Sequence, residues 1–192
     1  MTTQLDIPWN ANSTLKVVNL FGGPGVGKST TAAELFAMMK KRGYKVELLH
    51  EVAKDFVWEN WNHIFREQDY IFAHQHRLQR RLVSHDIDYV IIDSSMLLGL
   101  FYLPNDFPAS FAPFLREVFD SYTNINIYLN RTNTFDYVQE GRNQTQIQAE
   151  EIDRKILQYL DDEDLITARV DAGDNAAMNC LFVVEAQSSK KV

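Results

Sequence analysis

Eight consecutive residues, Gly22-Gly23-Pro24-Gly25-Val26-Gly27-Lys28-Ser29, fit the pattern G-x-x-x-x-G-K-[ST]. The chemistry of that pattern is the holding of a polyphosphate. Glycines let the backbone curl until its N–H groups point inward at phosphate oxygens, and a helix starting at the lysine adds the positive end of its dipole. In that arrangement Lys28 neutralises the β- and γ-phosphates and Ser29 offers its hydroxyl to a magnesium ion. The expected nucleotide-binding set is therefore Gly22, Gly23, Pro24, Gly25, Val26, Gly27, Lys28, Ser29 and Thr30, with ATP and Mg²⁺ as cofactors.

Other residues suit the remaining parts of a phosphoryl transfer. Val90-Ile91-Ile92-Asp93 is an apolar run ending in an acid, which brings a carboxylate toward the metal beside a phosphate loop. Asp93 is thus the second expected metal residue after Ser29, with a simple turn residue as the alternative. Ser94 and Ser95 follow it and can hydrogen-bond its carboxylate or a substrate. In His50-Glu51-Val52-Ala53-Lys54-Asp55, a helix starting after the preceding strand puts Glu51 and Asp55 on one face at i, i+4 spacing. Either can take the proton of an attacking hydroxyl; Glu51, nearer the strand end, is the first choice. A solvated helix start, where acids favour the dipole, is the other reading.

Arg131 and Arg142 bracket the polar stretch RTNTFDYVQEGR. A guanidinium fork matches phosphate geometry, and a cation arriving as this segment closes over ATP would stabilise the charge on the transferring group. Surface arginines are the plainer alternative. Phe56, Trp58, Trp61 and Phe65 cluster after Glu51, and the spacing 58, 61, 65 favours a core stripe over base stacking. Residues 74–85, HQHRLQRRLVSH, hold Arg77, Arg80 and Arg81 with three histidines and no acid. That run is either a solvated helix face or a phosphate-binding patch.

The elements that must position these groups are legible as alternating strands and helices. Residues 15–21 form an apolar run that enters the glycine loop, and Ala32, Leu35, Phe36 and Met39 recur at helical spacing before Gly43, a C-terminal stop. Residues 45–49, 89–92, 125–129 and 165–170 read as further strands, and residues 68–83 as a long polar helix. A helix follows the proline-punctuated stretch 104–113. Thr145 with Gln148 makes a capping box, from which Ile152, Ile156 and Leu160 continue as an apolar stripe. Asp174 is placed to cap a last helix with Ala177, Leu181 and Val184 inward, and a disordered tail is expected from Gln187. This alternation implies a five-stranded parallel sheet with helices on both faces, an α/β fold of the P-loop NTPase kind.

Composition narrows the class. The chain has 192 residues, 45% hydrophobic and 23% charged, enough for one large core. We expect a single domain over residues 1–192, with an extension at 1–14, a lid at 131–143 and a tail at 187–192. No apolar run is long enough to span a membrane, and the polar start MTTQLDIPWNANS has no signal-peptide pattern. The expected location is cytoplasmic. Cys180, the one cysteine, sits in an apolar stretch and reads as a small core residue. A net charge of −7 repels a polyanion on average, so any contact with nucleic acid must be local.

Taken together, FGGPGVGKST, EVAKDFVW, IIDSS and EGRNQT resemble a group of small P-loop kinases of bacteriophages, related to thymidylate kinases. That group includes the 5-hydroxymethyluracil DNA kinases, which phosphorylate the base hydroxymethyl group in phage DNA during thymidine hypermodification. The resemblance runs from about residue 15 to residue 173. It implies an ATP loop over Gly22 to Thr30, substrate-side acids at Glu51 and Asp55, a metal or substrate role for Asp93, and Arg142 as the closing cation. It departs after Asp93, where two serines stand in place of the Asp-Ser-Pro of many relatives. The resulting expectation is an ATP- and Mg²⁺-dependent kinase, as monomer or homodimer, in the host cytoplasm if phage-encoded. Its acceptor would be DNA containing a modified pyrimidine, or otherwise a free nucleoside or nucleotide. A nucleotide-binding switch or ATPase is the alternative of another class; the chain lacks the Asn-Lys-x-Asp motif of a GTPase.

Overall fold

The computed structural model describes residues 15–51, 62–83, 85–132 and 145–189. Five parallel strands form one sheet: β1 (Lys16–Phe21), β2 (Val46–Leu49), β3 (Tyr89–Ile92), β4 (Thr123–Asn130) and β5 (Ala168–Asp171), in the spatial order β2-β3-β1-β4-β5. Among the described residues five α-helices accompany it: α1 (Lys28–Lys41), α2 (Gln68–Arg80), α3 (Phe111–Asp120), α4 (Gln146–Asp162) and α5 (Ala176–Ser189). β1 is central, and its sequence KVVNLF is buried at all but its first residue. Both faces of a parallel sheet are covered, so its inner strands are apolar without alternation.

Each face has its own core. Val18, Leu20, Ile91, Ile127 and Leu129 meet Ala32, Leu35 and Met39 of α1 and Ala177, Cys180, Leu181 and Val184 of α5. Burial pushes the Cys180 thiol up to about 12, so it stays a neutral core group. On the other face Phe21 and Tyr128 pack with Leu97, Leu115, Phe119, Ile156 and Leu160. A short 3₁₀ segment, Met96–Tyr102, lies among these helices and supplies Leu97; it is absent from the sequence reading because MLLGLFY has no clear period.

The same face also carries buried amides. Asn19 Nδ2 donates to Asn124 Oδ1 at 2.9 Å and to Asn126 Oδ1 at 3.0 Å, and Asn126 Nδ2 donates to the Leu165 carbonyl at 2.9 Å. The Asn126 N–H in turn donates to Thr167 Oγ1. Residues 165–167 are therefore spent as partners of Asn126, and β5 starts at Ala168, three residues after the expected start.

Most boundaries follow from local chemistry. Gly43, at φ 83°, ends α1, a conformation that other residues enter only with strain. Pro113 stands in the first turn of α3, where its missing N–H removes no helical bond. The capping box at Thr145 and Gln148 is complete in both directions. At the other end, α5 runs on to Ser189, and the Ser188 hydroxyl meets the Tyr89 hydroxyl; of the tail expected over 187–192, residues 187–189 are helix, held by this contact and the packing of Val184, and residues 190–192 lie outside the described residues. No helix among the described residues is long and apolar enough to cross a membrane.

Candidate functional site

The carboxyl ends of β1 and β3, with the residues that follow β2 and β4, bring together the glycine loop, Asp93, Glu51 and Arg131, which is where open α/β sheets bind ligands. Three loop glycines have positive φ: Gly22 at 138°, Gly25 at 76° and Gly27 at 100°. A Cβ on Gly22 would lie 2.9 Å from Val26 Cγ1 and 3.2 Å from the Leu129 carbonyl oxygen. Conformation and space both require glycine there. We expect Gly22→Ala to lower Tm by several degrees, from a cost of about 1–3 kcal/mol, and to weaken nucleotide binding as the loop shifts. Thermal melting and nucleotide titration on the same preparation check both effects.

The loop hands over directly to α1. Gly27 is the N-cap, no side chain caps this end, and the first turn has no acid. Its N–H groups are thereby left for an external acceptor, and the dipole favours an anion. Lys28 Nζ donates to the carbonyls of Gly22 at 2.7 Å and Gly23 at 3.0 Å, so its ammonium spans the inside of the loop. Burial pulls the Lys28 amine below its usual range, opposed by the carboxylates of Glu51, Asp93 and Asp153, while Arg131 adds to the lowering. A cation among three acids at a glycine loop is equipped to meet a polyphosphate.

Asp93 is 2% exposed at the end of β3, whereas Ser29 and Thr30 are exposed in the first turn of α1. Among the described residues no group of three His, Cys, Asp or Glu side chains is placed to hold a metal on its own. One hydroxyl and one carboxylate, completed by phosphate oxygens and water, is the kind of donor set that Mg²⁺ accepts. Ser29 and Asp93 thus fit a metal that arrives with the nucleotide. Of the serines after Asp93, Ser95 Oγ accepts the Leu97 N–H at 3.4 Å and caps the 3₁₀ segment, while the main-chain carbonyl of Ser94 accepts from Gln75 Nε2 of α2.

Glu51 follows β2 and lies in the electrostatic field of Lys28, on the same side as Asp93. Asp55, Arg142, Trp58 and Trp61 lie outside the described residues. Arg131 is held against the loop: its Nε donates to Asp153 Oδ2 at 2.6 Å and its Nη2 to the Pro24 carbonyl at 2.8 Å. Asp153, on α4, is 8% exposed, and its Oδ1 accepts the Gly23 N–H at 2.5 Å. Sequence reasoning passed over Asp153. The signal was present, since Asp153 falls on the buried stripe Ala149, Ile156, Leu160, and an acid at a core position needs a partner.

The basic run of α2 is not brought to this site. Gln75 meets Ser94 beyond the end of β3, while Leu78 and Leu82 pack with Leu15, Val17 and Val90 at the strand starts. The helix therefore descends away from the loop, and the exposed Arg77 and Arg81 lie toward the amino ends of the strands. On its inner side, burial together with Arg80 lowers His76 to about 4; its Nε2 pairs with the Tyr122 hydroxyl at 3.0 Å. That histidine is a neutral core group.

Comparison with solved structures agrees with this topology. The NadR protein, solved in complex with NR, superposes with a TM-score of 0.68 at 16% identity over 96% of this chain, which spans 54% of the NadR chain. Deoxyadenosine kinase from M. mycoides, with bound dCTP, gives a TM-score of 0.54 at 17% identity, covering 91% of this chain and 99% of the kinase. Shikimate kinase from Acinetobacter baumannii, in complex with shikimate, gives 0.52 at 19% identity, covering 96% and 99% of the two chains. At these identities the likeness establishes the fold, which is that of the P-loop NTPases in its kinase-like form. No curated protein matches by sequence. The family model of an AAA domain (AAA_28) matches residues 17–176, a span that holds the glycine loop, β1 from its second residue, all of β2 to β5 and the ion pair of Arg131 with Asp153, and the chain belongs to that family.

Proposed function

We propose that the protein is a kinase that binds ATP with Mg²⁺ and transfers the γ-phosphoryl group to a hydroxyl of a nucleoside-like acceptor. The observation that carries this reading is that Lys28 spans the inside of the glycine loop, within the field of the Glu51 and Asp93 carboxylates. Lys28 and the loop N–H groups hold the β- and γ-phosphates, Ser29 and Asp93 hold the metal, and Glu51 or Asp55 receives the acceptor's proton. Bound Mg²⁺ would supply charge neutralisation at the phosphates. Two carboxylates beside the transferring group favour an uncharged alcohol over an acceptor that is itself a phosphate. The solved proteins of similar fold include one bound to NR and a deoxyadenosine kinase, which supports an acceptor of nucleoside size.

A second reading keeps the same ATP half and takes the base hydroxymethyl group of 5-hydroxymethyluracil in DNA as the acceptor. The four motifs shared with the phage kinases favour it. Arg77 and Arg81, exposed on α2 toward the amino ends of the strands, would meet DNA away from the glycine loop. A base inside a duplex would have to be extruded to reach the loop.

Labelled ATP, supplied with free nucleosides including 5-hydroxymethyldeoxyuridine, with nucleoside monophosphates, and with DNA containing 5-hydroxymethyluracil or thymine, separates these readings. Label on a free nucleoside hydroxyl is the expected result. Label confined to the hydroxymethylated DNA would replace the first reading with the second. ATP loss that no acceptor stimulates would point to an ATPase or switch.

A further inference from the structure

The first half of the glycine loop is held from outside by two side chains that the proposed transfer leaves unassigned. Asp153 accepts the Gly23 N–H and Arg131 donates to the Pro24 carbonyl, while the two side chains also pair with each other. The Tyr128 hydroxyl donates to the Asp153 carbonyl at 3.2 Å, tying that turn of α4 back to β4. The approach is close: a Cβ on Gly23 would lie 2.7 Å from both Asp153 Oδ1 and the Ala149 carbonyl oxygen. Two consecutive residues of the loop are thus fixed by one ion pair, whose side chains are 20% and 11% exposed.

That pair has an electrostatic as well as a geometric consequence. A carboxylate beside a phosphate-binding loop repels the anion the loop is built to hold. Arg131 cancels it, and at Lys28 the two charges act with opposite sign. We propose that Asp153 and Arg131 are positioning residues for nucleotide binding: together they fix the Gly23–Pro24 half of the loop, and Arg131 acts by neutralising Asp153 rather than by touching the γ-phosphate. The proposal rests on the reading of the loop as a nucleotide site. It has an unusual corollary, that losing Arg131 alone is worse than losing both charges.

The experiment is a double-mutant cycle on ATP affinity, measured by titration of a fluorescent ATP analogue, with circular dichroism and Tm recorded for each variant. Arg131→Ala should weaken binding about 10- to 100-fold, because it leaves a bare carboxylate at the loop. Asp153→Asn still offers an oxygen to the Gly23 N–H but takes away Arg131's charge partner, so it should weaken binding by less than Arg131→Ala does. The double variant Arg131→Ala with Asp153→Asn should recover most of the loss. If Arg131→Ala does not fold, Arg131→Gln takes its place, since it keeps bulk and a donor while removing the charge.

A double variant as weak as the arginine variant alone would overturn the proposal and assign Arg131 to the nucleotide directly. A lowered Tm with unchanged affinity in every variant would also overturn it, leaving the pair as packing. Wild-type protein that binds no nucleotide would sink the nucleotide reading itself. Normal wild-type binding with no recovery in the double variant would sink only the brace.

Discussion

Lys28→Ala leaves a folded protein whose phosphoryl transfer is lower by at least about 10²–10³. The side chain's hydrogen bonds go to two carbonyls of its own loop rather than to the core, so little packing is removed. What is lost is the positive charge set among Glu51, Asp93 and Asp153. Without it Glu51 and Asp93 confront an incoming triphosphate, Asp153 being paired with Arg131, so nucleotide affinity falls along with turnover. Single-turnover transfer from labelled ATP, with circular dichroism as the control for folding, checks the result. A folded variant with wild-type turnover would remove the loop from the chemistry altogether.

The second large effect is expected at Glu51→Gln. Glutamine keeps the shape of the side chain and removes its capacity to take a proton. If Glu51 is the base that receives the acceptor's proton, the chemical step slows by about 10²–10⁴ while ATP affinity barely changes. The separation of the two readouts matters because Glu51 also lies in the field of Lys28. An effect confined to ATP binding would mean that Glu51 tunes the lysine, and Asp55→Asn would then be the variant to make. Loss of the chemical step in both variants would identify two acids acting in one proton path.

The sequence made most of the sheet legible because the inner strands of a covered parallel sheet are apolar runs; the edge strand β5, ARVD with only Val170 buried, begins three residues later than expected. β3 lies at the residues its pattern predicts, and β1 and β4 lie within two. The glycine loop was legible for a related reason, since few residue types tolerate the φ values found at Gly22, Gly25 and Gly27. Side-chain direction was not. Arg131 reads as a cation bound for phosphate, yet in the fold it pairs with Asp153, a residue that periodicity assigns to a core stripe. The basic run of α2 was legible only in part: composition shows that Arg77 and Arg81 are close to one another, and the antiparallel descent of α2 from Ser94 toward Leu15 shows which ends of the strands they lie toward. Local pattern determines which elements form; the identity of a partner 22 residues away, as between Arg131 and Asp153, depends on packing that no local pattern encodes.

The amides on β1 and β4 have a consequence for how the chain reaches this state. Asn19 and Asn126 are 107 residues apart in sequence and sit directly opposite in register. A nascent β1–β4 pairing displaced by one residue would put the two amides on opposite faces of the sheet, away from each other and one of them in an aliphatic layer. Hydrophobic runs such as VVNL and INIYL are permissive about alignment, and parallel strands brought together across a long connection are slow to assemble. A buried amide pair at that seam penalises misaligned pairings of β1 and β4 relative to the native one.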